Sequence, residues 1–280
     1  MIKSYTDTTT TRTLLSRDGT RISYLSIGSG PAVIVIPGAL SMAAGYADFA
    51  RTLAEHFTVH TIERRGRGLS GPQGDDYSII KEREDALALQ QETGASFLVG
   101  HSFGGLVALE TARNNPSLTK IAVYEPGVSI NGSIPMNWMP AYEKKLAGGK
   151  HLDAFVEFSR GTGPERGRNT PHWLMKLMIP LFVSAHDRQQ MFKLLHENLR
   201  EHREVARQDS SYETYREISA DVLLMYGGKT DSNWVDLSME RLEAVLPRSE
   251  TRAFPKLDHF GIDKRAPQEV ARALSEFFLL

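Results

Sequence analysis

Two hydrophobic rhythms alternate along the chain. AVIVIPGAL (residues 32–40) is a nearly unbroken apolar run rich in β-branched residues, the pattern of a strand buried on both faces of a parallel sheet. AAGYADFARTLAEHF (43–57) then brings Tyr46, Phe49, Leu53 and Phe57 onto one helical face. The exchange repeats. TVHTIERRGRG (58–68) reads as a strand running into a Gly-rich turn, and SIIKEREDALALQQETG (78–94) as a helix ending at Gly94. SFLVGHS (96–102) is a strand, FGGLVALETARNN (103–115) a helix stopped by Pro116, and KIAVYEPG (120–127) a strand. Earlier, RISYLSIGSGP (21–31) alternates and breaks at Gly, Ser and Pro, which predicts an edge strand. The Thr-rich start, MIKSYTDTTTTRTLL, reads as a loose polar tail without the layout of a signal peptide.

After Gly127 the rhythm stops. As far as about Tyr215 the chain is rich in Met, Trp and Gly and carries helical fragments such as LDAFVEF, HWLMKLMIPLF and RQQMFKLLHENLREHREVA. A stretch of that length is too long for a plain loop and needs helices of its own. Alternation resumes with DVLLMYGGKTD, VDLSMERLEAVLP, ETRAFPKLDH and PQEVARALSEFFLL. The pattern predicts an α/β fold, a mostly parallel twisted sheet flanked by helices. Residues 1–127 and 216–280 form the core, and residues 128–215 form a helical cap inserted after about the sixth strand.

Composition narrows the chemistry. Of 280 residues, 24% are charged and the formal net charge is −1, so no long-range field favours nucleic acid or an anionic membrane. No apolar run approaches the roughly 20 residues of a membrane span. The partner implied is a small-molecule substrate. There is no cysteine, which removes disulfides, thiolate nucleophiles and thiolate metal sites together and fits a reducing cytoplasm.

The sharpest local signal is Gly100-His101-Ser102-Phe103-Gly104, a G-x-S-x-G match between a predicted strand and a predicted helix. A serine at so tight a corner projects its hydroxyl clear of the sheet, and glycines on either side avoid collisions across the turn. The new helix aims its free N–H groups at the same point. A serine hydroxyl needs a base, and the base an orienting acid. Among nine histidines, His259 follows a late strand and precedes the last helix, so it can meet Ser102 at the edge where parallel strands end. His56, His186, His196 and His202 lie in charged helical stretches, and His101 points away from its neighbour's hydroxyl. For the acid, Asp231 closes LLMYGGKTD and falls between Ser102 and His259 in order. Glu125, at the end of the strand after the nucleophile helix, is the competing acid; Asp258 and Asp263 are weaker. Two backbone N–H groups should form an oxyanion hole, those of Phe103 and Ala39, with Leu40 in reserve.

These motifs resemble those of the α/β-hydrolase superfamily. VGHSFGG resembles its nucleophile elbow, ERRGRGLS its D-R-R-G-x-G-x-S turn, YGGKTD its strand-end acid motif and DHFGI its histidine loop. The match runs along nearly the whole chain, and Pro37-Gly38 stands where members often carry His-Gly. The resemblance implies the α/β-hydrolase fold with a helical cap and acyl transfer to water. A serine in place of an aspartate nucleophile argues against epoxide hydrolase and dehalogenase chemistry. The expected activity is that of a serine esterase, hydrolysing a small-to-medium, fairly apolar carboxylic ester or lactone through Ser102, His259 and Asp231. The same triad could serve a C–C bond hydrolase or a cofactor-free perhydrolase, or the scaffold could bind a ligand without turnover.

Leu40, Phe103, Trp138, Trp173 and Met178 are the candidate substrate-binding residues, although most of the cap's apolar side chains also suit its own core. No cofactor and no metal is called for. Gly66-Arg67-Gly68-Leu69-Ser70-Gly71 fits G-x-G-x-x-G, but Pro72 and QGDDY follow where a dinucleotide site needs a helix. Gly228-Lys229-Thr230 lacks the glycine five residues earlier that a P-loop requires, and His196 and Glu197 do not form H-E-x-x-H.

Overall fold

A computed structural model describes residues 8–164 and 168–280. Its strands are β1 (Thr10–Leu15), β2 (Arg21–Gly28), β3 (Ala32–Ile36), β4 (Thr58–Glu63), β5 (Phe97–His101), β6 (Lys120–Tyr124), β7 (Asp221–Gly227) and β8 (Ser249–Phe254). They form one sheet in the order β1-β2-β4-β3-β5-β6-β7-β8. The β1–β2 and β2–β4 pairings are antiparallel and the rest are parallel. The ends of β3 through β8 therefore open on one edge, the place where such folds build their sites.

The continuous apolar runs are explained by burial on both faces. In β3, Ile34 and Ile36 pack with α2 (Ile79–Thr93), α3 (Phe103–Ala112) and α9 (Asn233–Val245). Val33 and Val35 point the other way, against α1 (Ala47–Leu53) and α10 (Pro267–Leu279). Gly94 caps α2 in the left-handed conformation, with φ 66°.

Among the described residues, the α-helices between β6 and β7 are α4 (Met139–Ala147), α5 (His151–Thr162), α6 (His172–Phe182), α7 (Ala185–Lys193) and α8 (Leu195–Arg207). They share their own cluster of Trp138, Tyr142, Phe155, Ile179, Leu195 and Leu199, which Leu40 joins from the turn after β3. That contact seats the inserted helices on the edge where the parallel strands end.

Two expectations fail at the N-terminal side. The segment expected to be a loose tail forms β1 from Thr10 onward, paired with β2 from Thr10↔Ser26 to Leu15↔Arg21; its first seven residues lie outside the described ones. Threonines are β-branched, and a polar, exposed strand suits a sheet edge. In consequence β2, expected at the edge, lies second from it. No helix among the described residues is long and apolar enough to cross a membrane.

Candidate active site

β5 ends at His101 and α3 begins at Phe103, leaving Ser102 alone at the corner with φ 54° and ψ −122°. A non-glycine residue held there stores roughly 1–3 kcal/mol of strain, so the surroundings must impose it. They do. Ser102 N–H donates to Tyr124 O at 3.0 Å, and Ser102 O accepts from the amides of Gly105 and Gly127, both at 2.8 Å. The glycines are matched to close approach. A Cβ on Gly104 would lie 2.6 Å from Pro37 O and closer still to Ile36 O; one on Gly105 would lie 2.8 Å from Pro126 Cα.

His259 arrives on the loop after β8. Its Nδ1 lies 2.6 Å from Glu125 Oε2. Glu125 is fully buried one residue beyond β6, held at φ 42°. Its other oxygen, Oε1, accepts from Gly227 N–H at 2.8 Å and from the Thr230 hydroxyl at 2.6 Å. A carboxylate only accepts, so the proton between the two side chains sits on Nδ1 and the Nε2 lone pair is left to act as a base. Burial by itself would lower the imidazole pKa. The hydrogen bond and charge of Glu125, with Asp263 and Asp258 nearby, outweigh it and raise the pKa above the ordinary histidine value.

The acid preferred from sequence is not the one the structure brings to the histidine. Asp231 stays partly exposed in the loop after β7, while its neighbour Thr230 turns inward to the Glu125 carboxylate. β6 and β7 are adjacent, with Tyr124 opposite Met225, so an acid just past either strand could reach the same space. The left-handed backbone at Glu125 turns it into that space, and sequence order alone does not reveal such a turn. The loop carrying His259 is also tied down: Tyr124 Oη donates to Asp258 O at 2.8 Å and Lys229 N–H to Leu257 O at 2.8 Å.

The turn after β3 lies against the corner. The position a Cβ would take on Gly38 is 3.3 Å from Ser102 Cβ. Gly38 N–H donates to the Tyr46 hydroxyl at 3.0 Å. The Pro37 and Gly38 carbonyls accept from Arg64 Nε and Nη2 at 3.0 and 2.9 Å. With trans peptides throughout, a carbonyl held on one side sends the next N–H to the other, so Ala39 N–H faces away from Arg64. Phe103, as the first residue of α3, has an N–H with no intrahelical acceptor. Arg64, Tyr46 and Thr230 were not expected at the site from sequence, where Tyr46 read as core and Thr230 as part of a refused P-loop match. The available signal was Arg64, Arg65 and Arg67 crowded just past one strand, all fully or almost fully buried.

The expected substrate-binding residues divide. Leu40, at φ 54°, is buried where the turn meets the inserted helices. Phe103 is only 2% exposed, its ring under the Arg64 guanidinium at 4.9 Å, so it is core and not an open pocket wall. Trp138 is buried among Tyr142, Phe158 and His202, and its indole N–H donates to Pro135 O. One face of it borders a 410 Å³ cleft with Asn137, Glu157 and Arg160, a cleft whose lining excludes Ser102, His259 and Glu125. Trp173 and Met178 are 65% and 40% exposed on α6. A solvent-facing helix surface accounts for their spacing, and the structure does not bring them to Ser102. Around His259 stand Trp234 and Phe260, with ring centroids 5.9 and 5.6 Å away.

This fold and corner have well-defined relatives. The profile of the alpha/beta hydrolase family matches residues 33–273, and the chain belongs to that family; it is a hydrolase by class. It is 29% identical over 182 residues to N-formylmaleamate deformylase of Pseudomonas putida, an alignment covering 62% of this chain and 68% of that protein. Against the pimeloyl-[acyl-carrier protein] methyl ester esterase of Xanthomonas campestris it is 28% identical over 170 residues, 60% of each chain. The chain thus spans less than two thirds of the esterase. A solved α/β hydrolase from Sphaerobacter thermophilus superposes with a TM-score of 0.81 at 31% identity, covering 95% of this chain and all of that one.

Proposed function

We propose that this protein is a serine hydrolase that cleaves a small-to-medium, fairly apolar carboxylic ester or closely related acyl compound through Ser102, His259 and Glu125. The observation that carries the reading is the 2.6 Å His259–Glu125 bond, which frees Nε2 as a base on a loop whose His259 carbonyl bonds His101, the residue before the strained Ser102. Ser102 Oγ attacks the carbonyl carbon and its proton passes to His259 Nε2. The carbonyl oxygen, now an oxyanion, accepts from the N–H groups of Phe103 and Ala39. Glu125 keeps the imidazole in the productive tautomer and stabilises its cation. Collapse breaks the acyl–oxygen bond, and the leaving alcohol takes the proton from Nε2. Water then gives a proton to Nε2 and attacks the acyl carbon, and Ser102 leaves with that proton. The ester preference draws support from the methyl ester esterase relative and from the aromatic surroundings of His259.

The test is labelling with a fluorophosphonate and turnover of a short p-nitrophenyl ester, beside Ser102→Ala. Both signals should be present in wild type and absent from the variant. A folded wild-type protein that shows neither would overturn the reading.

A further inference from the structure

On the acyl-transfer reading, we propose that Arg64 is the positioning residue of the oxyanion turn and that Glu201, delivered by α8, holds it in place, so that docking of the inserted helices is a condition for a formed oxyanion site. Arg64 directly follows β4. Two arms of its guanidinium take the carbonyls of Pro37 and Gly38, which sends Ala39 N–H to the opposite side. Its flat face covers the ring of Phe103, the residue supplying the other amide. One rigid planar group therefore touches the ring of Phe103 and the carbonyl of the peptide unit that carries Ala39 N–H.

The third arm of the same guanidinium points to the seam between α2 and α8. Arg64 Nη1 lies 3.0 Å from Glu82 Oε1 and 3.0 Å from Glu201 Oε1. Arg67 reaches the same Glu201 oxygen at 2.6 Å, and its Nε holds Ser41 O at 2.9 Å. Three carbonyls of residues 37–41 are thus gripped by two arginines that converge on one carboxylate from α8. Arg64, Arg67 and Glu201 all have fully buried side chains. Burial by itself would raise the Glu201 pKa, but the two guanidinium groups outweigh it and keep the group ionised.

Undocking α8 would take Glu201 from both arginines, leaving Arg64 with Glu82 and Arg67 without the carboxylate they share, so their common hold on the turn would loosen. The geometry is specific to arginine. A lysine presents one point charge and cannot hold two successive carbonyls and two carboxylates from one plane. Glu201 has further company at the same seam: Glu204, on the same helix, accepts from Ile79 N–H at 3.0 Å.

The experiment compares Arg64→Lys and Glu201→Gln with Arg65→Lys, a control in the neighbouring buried pair with Asp85 that makes no bond to the turn. Each folded variant is assayed with the p-nitrophenyl ester and with a trifluoromethyl ketone against its methyl ketone. Only the fluorinated ketone accepts Ser102 Oγ to form a stable hemiketal oxyanion, with the serine proton passing to His259. Arg64→Lys and Glu201→Gln should lower kcat about 10- to 100-fold and weaken the trifluoromethyl ketone by a similar factor, with little change in KM. Arg65→Lys should leave the preference between the two ketones intact. On wild type, hydrogen exchange should show the turn at residues 38–40 and α8 becoming protected together when the fluorinated ketone binds.

An unchanged ketone preference in either folded variant would overturn the inference, as would an α8 indifferent to the ketone. If wild type is labelled by the fluorophosphonate, such results sink the inference alone. An unlabelled wild type sinks the acyl-transfer reading and this inference with it.

Discussion

The Tyr46 hydroxyl lies 2.6 Å from His101 Nδ1, and the polarity of that bond is settled by its neighbours. His101 Nε2 is 2.9 Å from His259 O, a carbonyl that can only accept, so the ring proton is on Nε2. Nδ1 then accepts from Tyr46, whose oxygen accepts from Gly38 N–H. Burial, and to a lesser degree the nearby His259, push the His101 pKa well down, which keeps the ring neutral. One chain of hydrogen bonds thus runs from the turn after β3 to the loop that carries His259. Nitrogen NMR of histidine-labelled protein should find His101 as the neutral Nε2–H tautomer between about pH 5 and 9. His101→Phe should lower kcat about tenfold, a rise of ~1.4 kcal/mol in the barrier. His101→Gln should recover part of it by restoring a donor near Nε2. Full activity in the Phe variant would remove this role.

Glu125 and Asp231 can be separated by paired substitutions. Glu125→Gln offers His259 an amide that can stabilise the wrong tautomer, and kcat should fall by about 10²- to 10⁴-fold. Asp231→Asn should stay close to wild type. The reverse pattern in steady-state kinetics would return the acid role to the β7 loop.

The rise of activity with pH should follow deprotonation of His259. Glu125 raises that pKa, so the acid limb of kcat/KM should have its midpoint above the ordinary value of about 6.5 and shift down in Glu125→Gln. The stability contribution has the opposite sign. With the folded pKa above the unfolded one, the imidazolium–Glu125 pair stabilises fully below about pH 6.5 and fades as pH rises through the folded value. Unfolding free energies of wild type and Glu125→Gln should therefore converge toward high pH as far as this proton is concerned.

Gly104→Ala tests the close packing beneath the corner. Its Cβ would press on the Ile36 and Pro37 carbonyls, backbone atoms with little room to retreat. The expected cost is about 1–3 kcal/mol in denaturant unfolding, with a fall in kcat as the Pro37–Gly38 turn is displaced. A variant as stable and active as wild type would show that the turn yields freely.

The order of elements was legible because it depends on periodicity. Runs such as AVIVI and KIAVY can bury both faces only in a parallel sheet, and the Met- and Trp-rich insertion announced itself by breaking that rhythm. Ser102 and His259 were legible for a related reason. A G-x-S-x-G corner has steric requirements that a few adjacent residues satisfy, and a histidine after a late parallel strand emerges at the same edge. Which acid reaches that histidine depended on β6 and β7 lying side by side and on a left-handed backbone at Glu125. The arginine turn was legible as a Gly-rich turn resembling the family's, but not its buried ion pairs, because its partners lie far along the chain. Glu201, 137 positions beyond Arg64, meets it only when α8 packs on the strand ends. Local sterics and burial periodicity are written into short stretches of sequence, whereas the pairing of buried charges is decided by which distant elements the fold brings into contact.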